Sequence, residues 1–267
     1  MVIDLIIGGL SGVISRTLTA PLELYKIQRQ NAFIPNSTVR AVLKKEGLRY
    51  LWKGNGTNCV RVFPQTAINY GVFEFSKTHF FQEFENEKLK NLLAGSMGGS
   101  VSITMTYPLE TIRSRLTLQT CNSHYKGFMD ACRSIPIMDM FKGLRMSILG
   151  FAPFTALSFS TYFTYRKYLE DHTNWNKDMI KVIGGGMAGT TAVTITYPSD
   201  LIRRRLQLQN FDKSVPKYNG IIDCVKKIVA NEGVIGLYRG LPASYIKLFP
   251  TIGIQFLAME RLNECLK

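Results

Sequence analysis

The chain has 267 residues, 46% of them hydrophobic, and 33 Lys and Arg against 19 Asp and Glu, a net charge of +14. That surplus points to anionic partners (nucleic acid, phospholipid or an anionic solute). Five cysteines (Cys59, Cys121, Cys132, Cys224, Cys265) form no CxxC pair and three histidines (His79, His124, His172) are scattered, which predicts reduced thiols and offers no readable metal site.

The first predicted helix, 3–29, starts almost at the N-terminus with no cleavable signal, and holds Pro21 late in its length. A short amphipathic connection leads to a second helix over 56–80. The pattern then recurs twice. Helices are predicted over 89–118, with Pro108, and 145–169, then over 178–208, with Pro198, and 242–264. At ~1.5 Å per residue, about 20 residues cross the hydrocarbon core, so all six segments are long enough. A mean hydropathy of +0.02 does not argue against this, because helices lining a watery cavity carry polar residues on one face.

The recurrence is a true internal repeat. Pro21-Leu-Glu23-Leu-Tyr-Lys26, Pro108-Leu-Glu110-Thr-Ile-Arg113 and Pro198-Ser-Asp200-Leu-Ile-Arg203 share the pattern Pro-x-acid-x-x-base, with prolines 87 and 90 residues apart. Gly8 and Gly12, Gly95 and Gly99, Gly185 and Gly189 precede their prolines by 13 and 9 residues, a small-xxx-small spacing that permits close helix approach. An aromatic-base-Gly triplet follows in each copy: Trp52-Lys53-Gly54, Phe141-Lys142-Gly143 and Tyr238-Arg239-Gly240. Pro21, Pro108 and Pro198 are expected to kink the first helix of each copy and tip three helix ends together. One domain, 1–267, is expected, with repeats approximately over 1–86, 87–175 and 176–267.

These motifs resemble the mitochondrial carrier family over the whole chain. The resemblance implies an all-α membrane protein: six transmembrane helices in three pseudo-symmetric repeats around a cavity, with short helices on the matrix side. It implies transport and not catalysis, no cofactor, a location in the inner membrane of a mitochondrion or a related organelle, contact with membrane lipid (cardiolipin is a candidate) and a monomer. A basic helical repeat binding nucleic acid is the alternative that charge alone would favour. The register of glycines and prolines opposes it.

Within this frame, Glu23, Lys26, Glu110, Arg113, Asp200 and Arg203 are expected to form a matrix-side gate, each acid reaching the base of the next repeat. Gln28 resembles the family's bracing glutamine, and Arg115 and Arg205 occupy its place in the other copies. A second gate is expected at the far mouth, 20 and 23 residues after the triplet glycines. There Glu74 and Lys77 form one complete set, Phe163 and Arg166 lack the acid, and Glu260 and Asn263 lack the base. At most two pairs can form there.

Seven residues after the triplet glycines stand Arg61, Gly150 and Lys247, at one depth and facing one axis. Charges at mid-membrane are costly unless they bind something. Arg16, five residues before Pro21, breaks the symmetry, since Ile103 and Val193 are its counterparts. Members that carry adenine nucleotides have bases matching Arg16, Arg61 and Lys247, and Gly plus an apolar residue where Gly150-Phe151 stands. Phe154 would stack on a base, and Asn69 matches a polar site position. Ser15 to Pro21 and Gly54 to Asn58 look like the branch carrying adenine nucleotides, coenzyme A and ATP-Mg/phosphate. Arg203-Arg204-Arg205 looks like half of the ADP/ATP carrier signature, with Leu206-Gln207-Leu208 where three methionines belong.

Overall fold

The computed structural model describes residues 2–31, 43–44, 47–119, 125–211 and 215–266. Asn36, Glu46, Cys121 and His124 lie outside these residues, as does the side chain of Cys265. Cys59, Cys132 and Cys224 are free thiols. Every regular element among the described residues is helical.

The first long segment is α1 (Val2–Leu18) followed by α2 (Ala20–Gln30); its partner is α3 (Asn55–His79). The second pair is α4 (Glu87–Leu118) and α7 (Leu144–His172), with short helices α5 (Phe128–Ser134) and α6 (Ile137–Met140) between them. The third is α8 (Lys177–Leu208) and α10 (Leu241–Leu266), linked through α9 (Ile221–Glu232). Single 3₁₀ turns, Leu48–Trp52 and Val234–Tyr238, lead into α3 and α10. The long helices α3, α4, α7, α8 and α10 run 25, 32, 29, 32 and 26 residues, each longer than a bilayer core requires. By length and composition alone one stretch of described residues, Ile137–His172, is apolar enough to cross, at a mean hydropathy of 1.2. In α4 and α8 the charges responsible, among them Glu110, Arg113 and Arg203, face an internal cavity.

The expected single kinked helix over 3–29 is instead two helices parted at Thr19. Pro21 cannot donate to the carbonyl of Thr17 and its ring crowds that group. The freed carbonyl accepts the indole N–H of Trp52 at 2.9 Å, which holds the break open. Pro108 and Pro198 remain inside continuous helices.

The triplet glycines start α3, α7 and α10 with φ of 80°, 88° and 90°, a left-handed conformation that costs other residues more. In copies two and three a buried tyrosine just before the proline secures this corner. Tyr107 donates to the carbonyl of Lys142 at 3.1 Å, and Tyr197 to that of Arg239 at 2.9 Å. Copy one has Ala20 there, and the Thr117 hydroxyl of the next repeat donates to the Lys53 carbonyl at 3.3 Å. The second glycine of each small-xxx-small pair packs within its own repeat: Gly12 on Val62, Gly99 on the Phe151 ring, Gly189 on Leu248. The first members, Gly8, Gly95 and Gly185, meet no such neighbour. The most extensive seams run between repeats, α3 on α4 and α7 on α8, and α10 closes the circle against α1 and α2.

Candidate functional site

Where α2, α4 and α8 converge, three ion pairs join acid to base around the circle. Glu23 meets Arg113 at 3.2 Å, Glu110 meets Arg203 at 2.5 Å, and Asp200 meets Lys26 at 2.8 Å. Each links different repeats. The local alternative, three residues apart on one helix, survives only as a 4.0 Å contact between Asp200 and Arg203. Glu23, Glu110 and Arg113 are buried, so a broken pair here would strand a desolvated charge.

Gln28 does not brace this ring. Its amide donates to the Tyr50 hydroxyl at 3.1 Å, whereas Gln30 donates to Asp200 at 3.1 Å and to the Tyr197 hydroxyl at 3.3 Å. The reason is helical geometry. At 3.6 residues per turn, a residue four after Lys26 returns to its face, and a residue two after it points away. Arg115 donates to the carbonyls of Gln207 and Gln209 at 3.4 and 3.2 Å. Arg205 forms a two-pronged pair with Glu232, which Arg239 joins at 3.2 Å. Burial pushes the Glu232 carboxyl up, but the two guanidiniums outweigh it and hold the group below its ordinary range. Gly233 follows Glu232 as Gly47 follows Glu46 in copy one; copy two has no such acid-Gly pair before its triplet and uses Asp139 instead, with Lys142 at 2.6 Å and Arg115 at 3.7 Å.

Beyond the ring lies a polar cavity of about 280 Å³, lined by Arg16, Lys26, Arg61, Arg113, Arg203, Arg204 and Lys247 against Glu23, Glu110 and Asp200. Seven bases face three acids, which leaves four positive charges over. Arg61 donates to Glu110 at 3.1 Å, and Lys247 pairs with Glu23. The buried Nη1 of Arg16 has no hydrogen-bond partner in the structure. Gln255, on the wall of the same cavity, is exposed.

A second, mainly apolar cavity of about 240 Å³ adjoins the first and shares Lys26, Asp200 and Arg203 with it. Its walls include Gly150, Phe151, Phe154, Ile103, Val193 and Ser199. A Cβ on Gly150 would lie 2.5 Å from the Ser199 hydroxyl, so the missing side chain keeps this slot open. Asn69 lines neither cavity; its backbone and side-chain oxygens crowd Gly98 on α4.

At the mouth, Glu74 and Glu260 are exposed. Lys77 turns to Glu87 at 3.6 Å, and Arg166 to Glu170 on its own helix at 2.8 Å. No ion pair among the described residues links Glu74, Lys77, Arg166 and Glu260 to one another. The described conformation is therefore paired at one end and unpaired at the other.

Sequence reasoning passed over Gln30, Arg204, Asn58 and Thr251 as cavity or ring residues. The four-residue step from Lys26 was a usable signal for Gln30. Arg204 was visible only as a neighbour of Arg203; the structure buries it against Ser114 and Gln207 at the cavity floor.

The family described as "Mitochondrial carrier protein" matches the chain three times, over residues 1–84, 85–173 and 174–267. The chain is 34% identical to "Mitochondrial substrate carrier family protein A" of Dictyostelium discoideum, over 96% of this chain and 83% of that one. It is 32% identical to "Mitochondrial adenine nucleotide transporter ADNT1" of Arabidopsis thaliana, over 98% and 86%. It is 30% identical to "Mitochondrial adenyl nucleotide antiporter SLC25A24" of Homo sapiens, over 98% of this chain and 58% of that one.

Proposed function

Because the chain belongs to the mitochondrial carrier family, whose members are transporters, we propose that it exchanges adenine nucleotides of the ADP/ATP type across the mitochondrial inner membrane by alternating access. The carrying observation is the pair of adjoining cavities, one with four surplus positive charges and one apolar, meeting at Lys26, Asp200 and Arg203. A nucleotide is a polyanion joined to a flat aromatic base, and each part matches one cavity. Two relatives whose names state adenine nucleotide transport support the same reading.

In this mechanism phosphates enter from the unpaired mouth and meet Arg16, Arg61 and Lys247. The base enters the slot between Gly150, Phe151 and Phe154. Binding offsets the cost of parting Glu23, Glu110 and Asp200 from Arg113, Arg203 and Lys26. The ring then opens toward the matrix while Glu74, Lys77, Arg166 and Glu260 close over the mouth. A counter-substrate drives the return, because an empty site leaves its cations without an anion.

The test is uptake of labelled ADP into liposomes holding the purified protein, preloaded with ATP, coenzyme A or nothing. Uptake that requires internal ATP and is lost in Arg61→Ala and Lys247→Ala is the expected result. Uptake driven by coenzyme A alone would move the assignment to coenzyme A. No ADP uptake under any loading would overturn the nucleotide reading.

A further inference from the structure

Two of the three carboxylates that close the ring are also the partners of two of the three cations assigned to the substrate. Glu110 lies between Arg203 at 2.5 Å and Arg61 at 3.1 Å, with Arg204 farther off at 3.9 Å, and Glu23 lies between Arg113 at 3.2 Å and Lys247. Asp200 differs. Its partners are Lys26 at 2.8 Å, Gln30 at 3.1 Å and, distantly, Arg203. No base reaches it from the position seven residues past the triplet glycine, because copy two has Gly150 there.

From this geometry we propose that Glu23 and Glu110 are built-in competitors that occupy the anion site of the empty protein. They hold Lys247 and Arg61 until phosphate groups displace them. A carboxylate buried between two cations is stabilised by both, and removal of one leaves it short of counter-charge in a desolvated setting. An anion that captures Arg61 and Lys247 therefore weakens the Glu110–Arg203 and Glu23–Arg113 pairs from the substrate side. It leaves Asp200–Lys26 with its glutamine brace intact. Substrate occupancy and ring opening are thus linked through two shared side chains, and unequally around the circle. Because the cations sit on different helices, α3 and α10, displacement of both carboxylates favours an anion with more than one phosphate group.

This inference rests on Arg61 and Lys247 being anion-binding residues, and its test separates the two ideas. Binding of ADP and of inorganic tripolyphosphate to the purified full-length protein is measured by calorimetry for wild type, Glu110→Gln, Glu23→Gln, Asp200→Asn, Arg61→Gln and the double variant Glu110→Gln/Arg61→Gln. Loss of a competitor bound to a charged group is expected to tighten both probes by about tenfold in Glu110→Gln and Glu23→Gln. Asp200→Asn removes the same charge from the cavity wall but frees neither Arg61 nor Lys247, so it tightens both probes by no more than about threefold. The gain from Glu110→Gln disappears in the Arg61→Gln background, which a purely structural role for Glu110 would not produce. Equal tightening in Asp200→Asn, or a gain that persists without Arg61, would overturn the competitor role alone. Unchanged binding in Arg61→Gln would overturn the site assignment beneath it. If Glu110→Gln does not fold, Glu23→Gln with and without Lys247→Gln forms the same cycle.

Discussion

The two ends of the bundle are built from the same threefold plan and differ in how much of it survives. At one end all three acids and all three bases are present, each pair crosses between repeats, and Gln30 and the tyrosines support the contacts. At the other, Phe163 and Asn263 replace an acid and a base, and the remaining Lys77 and Arg166 turn to Glu87 and Glu170. The difference shows what makes a charge constellation into a closure. Presence of the charges is insufficient; they must converge where water is excluded, because exposed pairs contribute little.

That comparison breaks most visibly at Asp200. Asp200→Lys should abolish exchange in liposomes and destabilise the protein by about 1–3 kcal/mol in thermal unfolding, the scale for losing a half-buried, charge-assisted contact. The reciprocal swap Lys26→Asp/Asp200→Lys should recover much of that stability. A single variant as stable as wild type would mean that the ring is no tighter than the mouth. Gly150→Leu comes next. It fills the apolar slot, so ADP should bind about 10–100-fold more weakly while tripolyphosphate binding holds, as read by calorimetry. Equal loss for both probes would show that the slot does not take the base.

Glu232→Gln probes the outer tie of the paired end, with an expected cost of about 1–3 kcal/mol for a hydrogen-bonded ion pair. The pH dependence has a defined sign. The carboxyl is held below its ordinary range in the folded protein, so its contribution is complete above that range and is lost as pH falls through the depressed value. Wild type should therefore lose melting temperature over this acid window more steeply than Glu232→Gln, and parallel curves would contradict the pairing. At the mouth, Phe163→Glu with Asn263→Lys restores the missing partners. Pairs exposed to water contribute up to about 1 kcal/mol, so exchange should slow by no more than about fivefold. Lys77→Ala should be the smallest effect, within about 0.5 kcal/mol in thermal unfolding.

Much of this molecule was legible because a repeat converts sequence offsets into equal depths. Five of the six long helices and the order of the ring pairs follow from offsets alone. What escaped depends on direction or on distant partners. Gln28 and Gln30 are equally plausible by composition, and only the angle around the helix separates them. The break at Thr19 depends on an indole supplied 33 residues later by Trp52. Asn69 has a polar side chain at a suitable level, yet the packing of α3 on α4 turns it to Gly98. Asp139 takes over a tie whose expected acid is missing, at a different offset, and no pattern match reveals it. Pro64, Pro153 and Pro250 were legible and overlooked: each stands ten residues after its triplet glycine, inside α3, α7 and α10.

The four surplus positive charges at the cavity floor also act on molecules that have not yet arrived. A recess walled by helices and opening through an unpaired mouth focuses its field outward, and such focusing raises the arrival rate of polyanions by roughly 10- to 1,000-fold. The field is screened over about 8 Å at physiological ionic strength. Capture should accordingly slow as salt rises even where the bound state changes little, so the empty protein behaves as an electrostatic funnel before it behaves as a lock.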